Sequence, residues 1–117
     1  MDRFKRYGRG HRKPGEMNKL ETKYSAFLDG LKRQGEILWF QFESVKLRLA
    51  DRTFYTPDFF VMTADGTLEV HEVKGTSKGK PWVEDDAAVK IKVAADQFPL
   101  KFKMIWLVKT EWQLREY

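Results

Sequence analysis

A chain of 117 residues leaves room for one domain with an ordinary core, and 42% hydrophobic with 15% aromatic residues is too apolar for a disordered segment. With no cysteine it holds neither a disulfide nor a thiolate zinc site, and no apolar run approaches the roughly 20 residues that a membrane-spanning helix needs. These absences read as a soluble, intracellular protein, and its balance is basic, with a formal charge of +5 and a pI of about 9.5.

The excess charge is concentrated at one end. In residues 1–16, Arg3, Lys5, Arg6, Arg9, Arg12 and Lys13 stand against Asp2 and Glu16, which leaves +4 there and about +1 on the remainder. Gly8, Gly10, Pro14 and Gly15 interrupt the run, so it reads as a flexible basic arm ahead of a single domain at 17–117. Such an arm suits phosphates, whose counterions it would release, or it is a solubilising tail.

Asn18 is a candidate helix N-cap, and Glu21 three residues on completes a capping-box pattern. Leu20, Tyr24, Phe27, Leu28 and Leu31 recur at helical spacing, which predicts a helix from Lys19 to Gln34, ended by Gly35. Ile37–Phe42 reads as a strand covered on both faces, and Val45–Ala50 as a half-buried strand. Asp51-Arg52-Thr53 is a turn leading into Phe54–Met62, and Asp65-Gly66 marks a hairpin between Phe59–Met62 and Leu68–Lys74. Gly75–Pro81 is expected to be a flexible basic loop.

Glu84, Asp85 and Asp86 suit the positive end of a second helix, whose apolar stripe is Ala87, Ala88, Ile91, Ala94, Ala95 and Phe98; Pro99 stops it. Phe102–Val108 is a last, nearly all-apolar strand of the kind found inside a sheet. The expected fold is therefore α/β, a mixed sheet flanked by helices, with a right-handed crossover if the strands flanking the second helix are parallel.

The chemistry concentrates in Thr56-Pro57-Asp58-Phe59-Phe60 and Glu72-Val73-Lys74-Gly75. Strand side chains alternate, so Glu72 and Lys74 share a face while His71 and Val73 point the other way. Position 58 lies seven before Asp65 and position 72 six after Gly66, so a short hairpin sets Asp58 nearly opposite Glu72. Two facing carboxylates repel unless a cation intervenes, and hard oxygen ligands suit Mg2+ or Mn2+. A metal so held polarises a phosphodiester and acidifies water, with Lys74 placed to orient the water or neutralise developing charge. The bland alternative is a turn aspartate and a solvated strand face with a weak ion pair. Glu21 is equally readable as a capping side chain, and Lys90 and Lys92 as the polar face of an amphipathic helix. Two histidines, His11 in the arm and His71 facing away, leave too few ligands for zinc. Trp82, beside Lys78 and Lys80, is the best-placed tryptophan for a nucleic-acid contact.

Pro57-Asp58 followed by Glu72-Val73-Lys74, on this order of elements, resembles the PD-(D/E)XK nuclease superfamily from about Asn18 to Val108. The stretches Val45-Lys46-Leu47-Arg48-Leu49-Ala50, Tyr55-Thr56-Pro57-Asp58-Phe59 and His71-Glu72-Val73-Lys74-Gly75 are similar to a phage- and prophage-associated branch of it. The resemblance implies a restriction-endonuclease-like αβββαβ core and Mg/Mn-dependent cleavage of DNA in a bacterial or phage-infected cytoplasm. It implies that Asp58, Glu72 and the Val73 carbonyl bind metal, that Lys74 is catalytic, and that Glu21 is an auxiliary ligand or orients water. Lys90 or Lys92 would serve as a helix lysine, and Lys78 and Lys80 with the arm would contact DNA. Branched or junction DNA, cut by a homodimer without a small-molecule cofactor, is the expected substrate. A restriction or repair nuclease on duplex DNA and a non-catalytic DNA-binding module are the alternatives.

Overall fold

A computed structural model describes residues 15–81 and 85–117; the arm's residues 1–14, and Trp82 and Glu84 with it, lie outside the described residues. Helix α1 spans Lys19–Arg33. The Asn18 side chain accepts from the Glu21 amide at 2.7 Å, while the Glu21 carboxylate accepts from the Asn18 amide at 2.9 Å, so the capping box is complete. The chain leaves α1 through Gly35, whose φ of 81° is open to glycine and strained for most other residues.

Strand β1 (Ile37–Phe42) follows, then β2 (Leu47–Ala50) and β3 (Thr53–Tyr55). The last two form their own antiparallel ribbon, turning at Asp51-Arg52. The expected continuous segment Phe54–Met62 is broken, because Pro57 has no amide to give a ladder; Phe59–Thr63 then forms β4 in a different sheet. The Asp65-Gly66 turn leads as expected into β5 (Leu68–Val73). Gly75–Pro81 is not an irregular loop: Thr76–Ser77 (β6) and Lys80–Pro81 (β7) pair across a turn in which Lys78 and Gly79 both have positive φ.

Helix α2 spans Asp85–Gln97 and leads to β8 (Lys101–Val108) and a further strand, β9 (Glu111–Glu116), which sequence reasoning did not place. The main sheet is mixed and five-stranded, in the order β1-β4-β5-β8-β9, with only β5 and β8 parallel. Strand β8 is interior, as its apolar run requires. Strand β1 is at an edge, so Leu38 and Gln41 are exposed rather than covered.

Alternation along the strands separates two layers of core. Tyr24 and Leu28 of α1 pack with Phe59, Val61, Val73 and Ile105 on one face. Ile91 and Ala94 of α2 pack with Leu49, Tyr55, Val70 and Phe102 on the other. Through Leu49 and Tyr55 the β2–β3 ribbon belongs to the α2 layer, and this brings Tyr55 to the end of β5. Among the described residues no helix is long and apolar enough to cross a membrane.

Candidate active site

The β4–β5 ladder pairs Phe59 with His71 and Phe60 with Val70. Continued by one residue, the same register sets Asp58 across from Glu72, as the hairpin count requires. Asp58 is fixed on both sides: its carbonyl accepts from the Glu43 amide at 2.8 Å, and its Oδ2 accepts from the Val73 amide at 2.8 Å. This last bond places the Val73 peptide beside the carboxylate. Among the described residues, no hydrogen bond engages the second oxygen of Asp58.

Glu72 and Lys74 share the α2 face, and Lys74 Nζ lies 3.3 Å from Glu72 Oε2. Tyr55 donates to the other oxygen, Oε1, at 2.7 Å. The Glu72 side chain is only 12% exposed and that of Lys74 21%, so these charges are not a solvated strand face. Burial, then repulsion from Glu72, pushes the Asp58 carboxyl well above the ordinary range, with Glu21 adding a smaller push and Val73 and Lys74 opposing it. Glu72 is raised too, chiefly by burial, against the pull of Lys74 and Tyr55. Desolvated acids facing one another are costly as anions, and a proton or a cation relieves them.

Glu21 is buried, its carboxylate closes the capping box, and it acts electrostatically on Asp58. Its capping role and its position near the acids are therefore compatible. A cleft of about 280 Å³ opens beside Glu72, lined by Phe54, Tyr55, Thr56, Asp86, Ala87 and Lys90. Lys90 thus faces the acids' end of the sheet. Lys92 does not: it sits with Ala95, Asp96 and Tyr117 in a separate depression. Lys78 and Lys80 are exposed on the β6–β7 ribbon, which begins two residues after Lys74.

His71 is buried on the opposite face, between the Tyr24 hydroxyl at 2.7 Å and Glu69 Oε1 at 2.8 Å; Lys103 approaches the same Glu69 oxygen at 3.1 Å. It is a core polar network, and it takes no part in the acidic pair. Tyr55 is the residue that sequence reasoning missed. Its only signal was the aromatic ring two positions before Pro57, which does not reveal a hydroxyl aimed at Glu72.

As a donor set, Asp58, Glu72 and the Val73 carbonyl are all hard oxygens, suited to Mg2+ or Mn2+ rather than to softer metals. Among the described residues no group of three or more His, Cys, Asp or Glu side chains stands ready to hold a metal; two acids completed by a carbonyl and water is the arrangement the chemistry allows. No protein-family model, curated protein or solved structure matches the chain.

Proposed function

We propose that this chain is a metal-dependent endonuclease that hydrolyses DNA phosphodiesters, with Asp58 and Glu72 as the acids that hold the ion and Lys74 as the catalytic lysine. The observation that carries the reading is the acidic pair itself. Two desolvated carboxyls, both raised, face each other across a hairpin with one ammonium beside them. Structural ion pairs seldom gather two buried acids around a single base, because the second acid is then uncompensated. A cation-binding site has a use for it.

Mg2+, with Mn2+ as a substitute, would be held by Asp58, Glu72 and the Val73 carbonyl, and would supply charge for a phosphoryl oxygen and a more acidic water. The chain's own groups have separate tasks. Tyr55 fixes the rotamer of Glu72 by holding one of its oxygens. Lys74 sets positive charge where a scissile phosphate must approach, and can hold an attacking water or neutralise the leaving oxygen. Lys90, on the wall of the cleft, meets the backbone of an entering strand, with Lys78 and Lys80 extending the path and the basic residues of 1–14 adding charge for phosphates.

The order α1, β1, β4, β5, α2, β8 supports a restriction-endonuclease-like αβββαβ core, with β2–β3 and β6–β7 as insertions and β9 as an addition. Branched or junction DNA is the preferred substrate in this reading, and cutting two strands symmetrically calls for two copies.

Cleavage of a four-way junction, a linear duplex and a single strand, each with Mg2+, Mn2+ or chelator, tests the proposal. Wild-type protein should cut only with metal, and Asp58→Asn and Glu72→Gln should each abolish cutting while DNA binding is kept or tightened. Binding without cleavage on every substrate would indicate a DNA-binding module instead. Variants that cut like wild type would show that the site is elsewhere.

A further inference from the structure

The two edges of the main sheet differ. Strand β1 carries an irregularity between Ile37 and Trp39, a feature that discourages pairing with another chain. Strand β9 pairs with β8 over six residues without a register shift, and among the described residues no strand covers its outer side. The Tyr117 amide donates to the Phe102 carbonyl at 2.9 Å, which continues the β8–β9 ladder. Odd-numbered residues of β9 therefore turn their main-chain groups inward, and Trp112, Leu114 and Glu116 turn theirs outward. Leu114 is 54% exposed there, and Phe27, 41% exposed, lies 6.1 Å from the Trp112 ring. An apolar strip thus runs along an unpaired edge.

We infer that β9 pairs antiparallel with β9 of a second copy of this chain, about a two-fold axis at Gln113, to give a continuous ten-stranded sheet. The charges and the register select this occupant. With the axis at Gln113, the outward groups of Trp112 and Leu114 meet those of Leu114 and Trp112 in the second copy, and the two apolar side chains lie opposite each other. On the other face Glu111 comes opposite Arg115 of the second copy, twice by symmetry. Moving the axis to Leu114 sets Trp112 against Glu116, and moving it to Trp112 sets Arg115 against Lys109. Registers between these turn inward groups toward outward ones and form no ladder.

The pairing fixes where the acidic sites lie. Glu72 is level with Met104, and Met104 with Arg115. A two-fold axis normal to the sheet keeps both Glu72 residues on one face, five strand spacings apart across the sheet and four residues apart along it. That is roughly 28 Å before allowing for twist. The pairing does not depend on the nuclease reading.

The chain has no cysteine, so single-cysteine variants report the register directly. Gln113 meets its own copy as a non-hydrogen-bonded pair, close enough for a disulfide. Sedimentation should show a reversible dimer of the full chain, and oxidation should link Gln113→Cys but not Leu114→Cys. Arg115→Glu should weaken dimerisation about tenfold by opposing like charges at both ends of the ladder, and Glu111→Arg combined with Arg115→Glu should restore it. A native chain that stays monomeric, a Leu114→Cys link in place of the Gln113→Cys link, or a dimer indifferent to Arg115→Glu would overturn the pairing. A native chain that stays monomeric and still cuts DNA with metal would overturn the pairing and leave the proposed activity standing.

Discussion

Replacing Asp58 by Asn removes one of two facing charges while preserving shape, and the Asn carbonyl can still accept from the Val73 amide. Directly opposed cross-strand side chains sit about 5 Å apart, and two like charges at that separation repel by about 3 kcal/mol at an effective dielectric constant near 20. Against this stand a weaker, neutral hydrogen bond from Val73, a loss of about 1 kcal/mol, and a similar loss of attraction to Lys74. In metal-free protein at a pH above both raised values, where the two acids are anions, Asp58→Asn should therefore gain about 1 kcal/mol, or about 4 °C in Tm for a chain of this size. The pH dependence has a definite sign. Both acids bind protons more tightly in the folded state than in the unfolded chain. Their contribution thus stabilises the fold as pH falls from the raised values to about 4, and is constant below. The advantage of Asp58→Asn should close over that same window. A divalent ion at a hundredfold excess over Kd should add about 2.7 kcal/mol to wild type and little to the variant. Thermal melts at two pH values, with chelator or Mn2+, supply all four numbers. A variant less stable than wild type without metal at a pH above both raised values, or equal stabilisation of both proteins by Mn2+, would refute the reasoning.

Tyr55→Phe deletes the bond to Glu72 Oε1 and should lower metal affinity about tenfold by calorimetric titration, with the circular dichroism spectrum unchanged. Lys74→Ala should reduce single-turnover cleavage by about 10²–10⁴-fold while DNA affinity stays near wild type. Lys90→Ala should weaken DNA binding and reduce the salt slope by about 1, whereas Lys92→Ala should leave both unchanged, since only Lys90 lines the cleft. Glu69→Gln should cost about 1–3 kcal/mol at neutral pH with cleavage per folded molecule preserved. His71 and then Lys103 hold the Glu69 carboxylate below its usual range, so its contribution is present above the unfolded value and is lost as pH falls through the depressed one.

Local rules made much of this molecule readable. The Asn18–Glu21 box set the start of α1, and Asp65-Gly66 set the register that puts Asp58 across from Glu72, because both depend on a few adjacent residues. What escaped depends on tertiary partners. Trp112 and Leu114 alternate with Gln113 and Arg115 as a strand should, yet the polar flanks of β9 masked it until β8 stood beside it. Pro57 signalled an interruption, but nothing nearby said that Thr53–Tyr55 would leave the main sheet and fold back on Leu47–Ala50 under α2. Ile37–Phe42 looked covered on both sides because its residues are apolar, and composition does not tell an edge from a centre. Lys90 and Lys92 are alike by helical pattern; the packing of α2 separates them.

Diffraction from crystals soaked in Mn2+, with the anomalous signal mapped, bears most directly on whether the paired acids exist to hold an ion. A single strong peak should lie between Asp58 and Glu72, in contact with the Val73 carbonyl, and should vanish in Asp58→Asn. Crystals without such a peak, at a concentration of Mn2+ that supports DNA cleavage in solution, would contradict it.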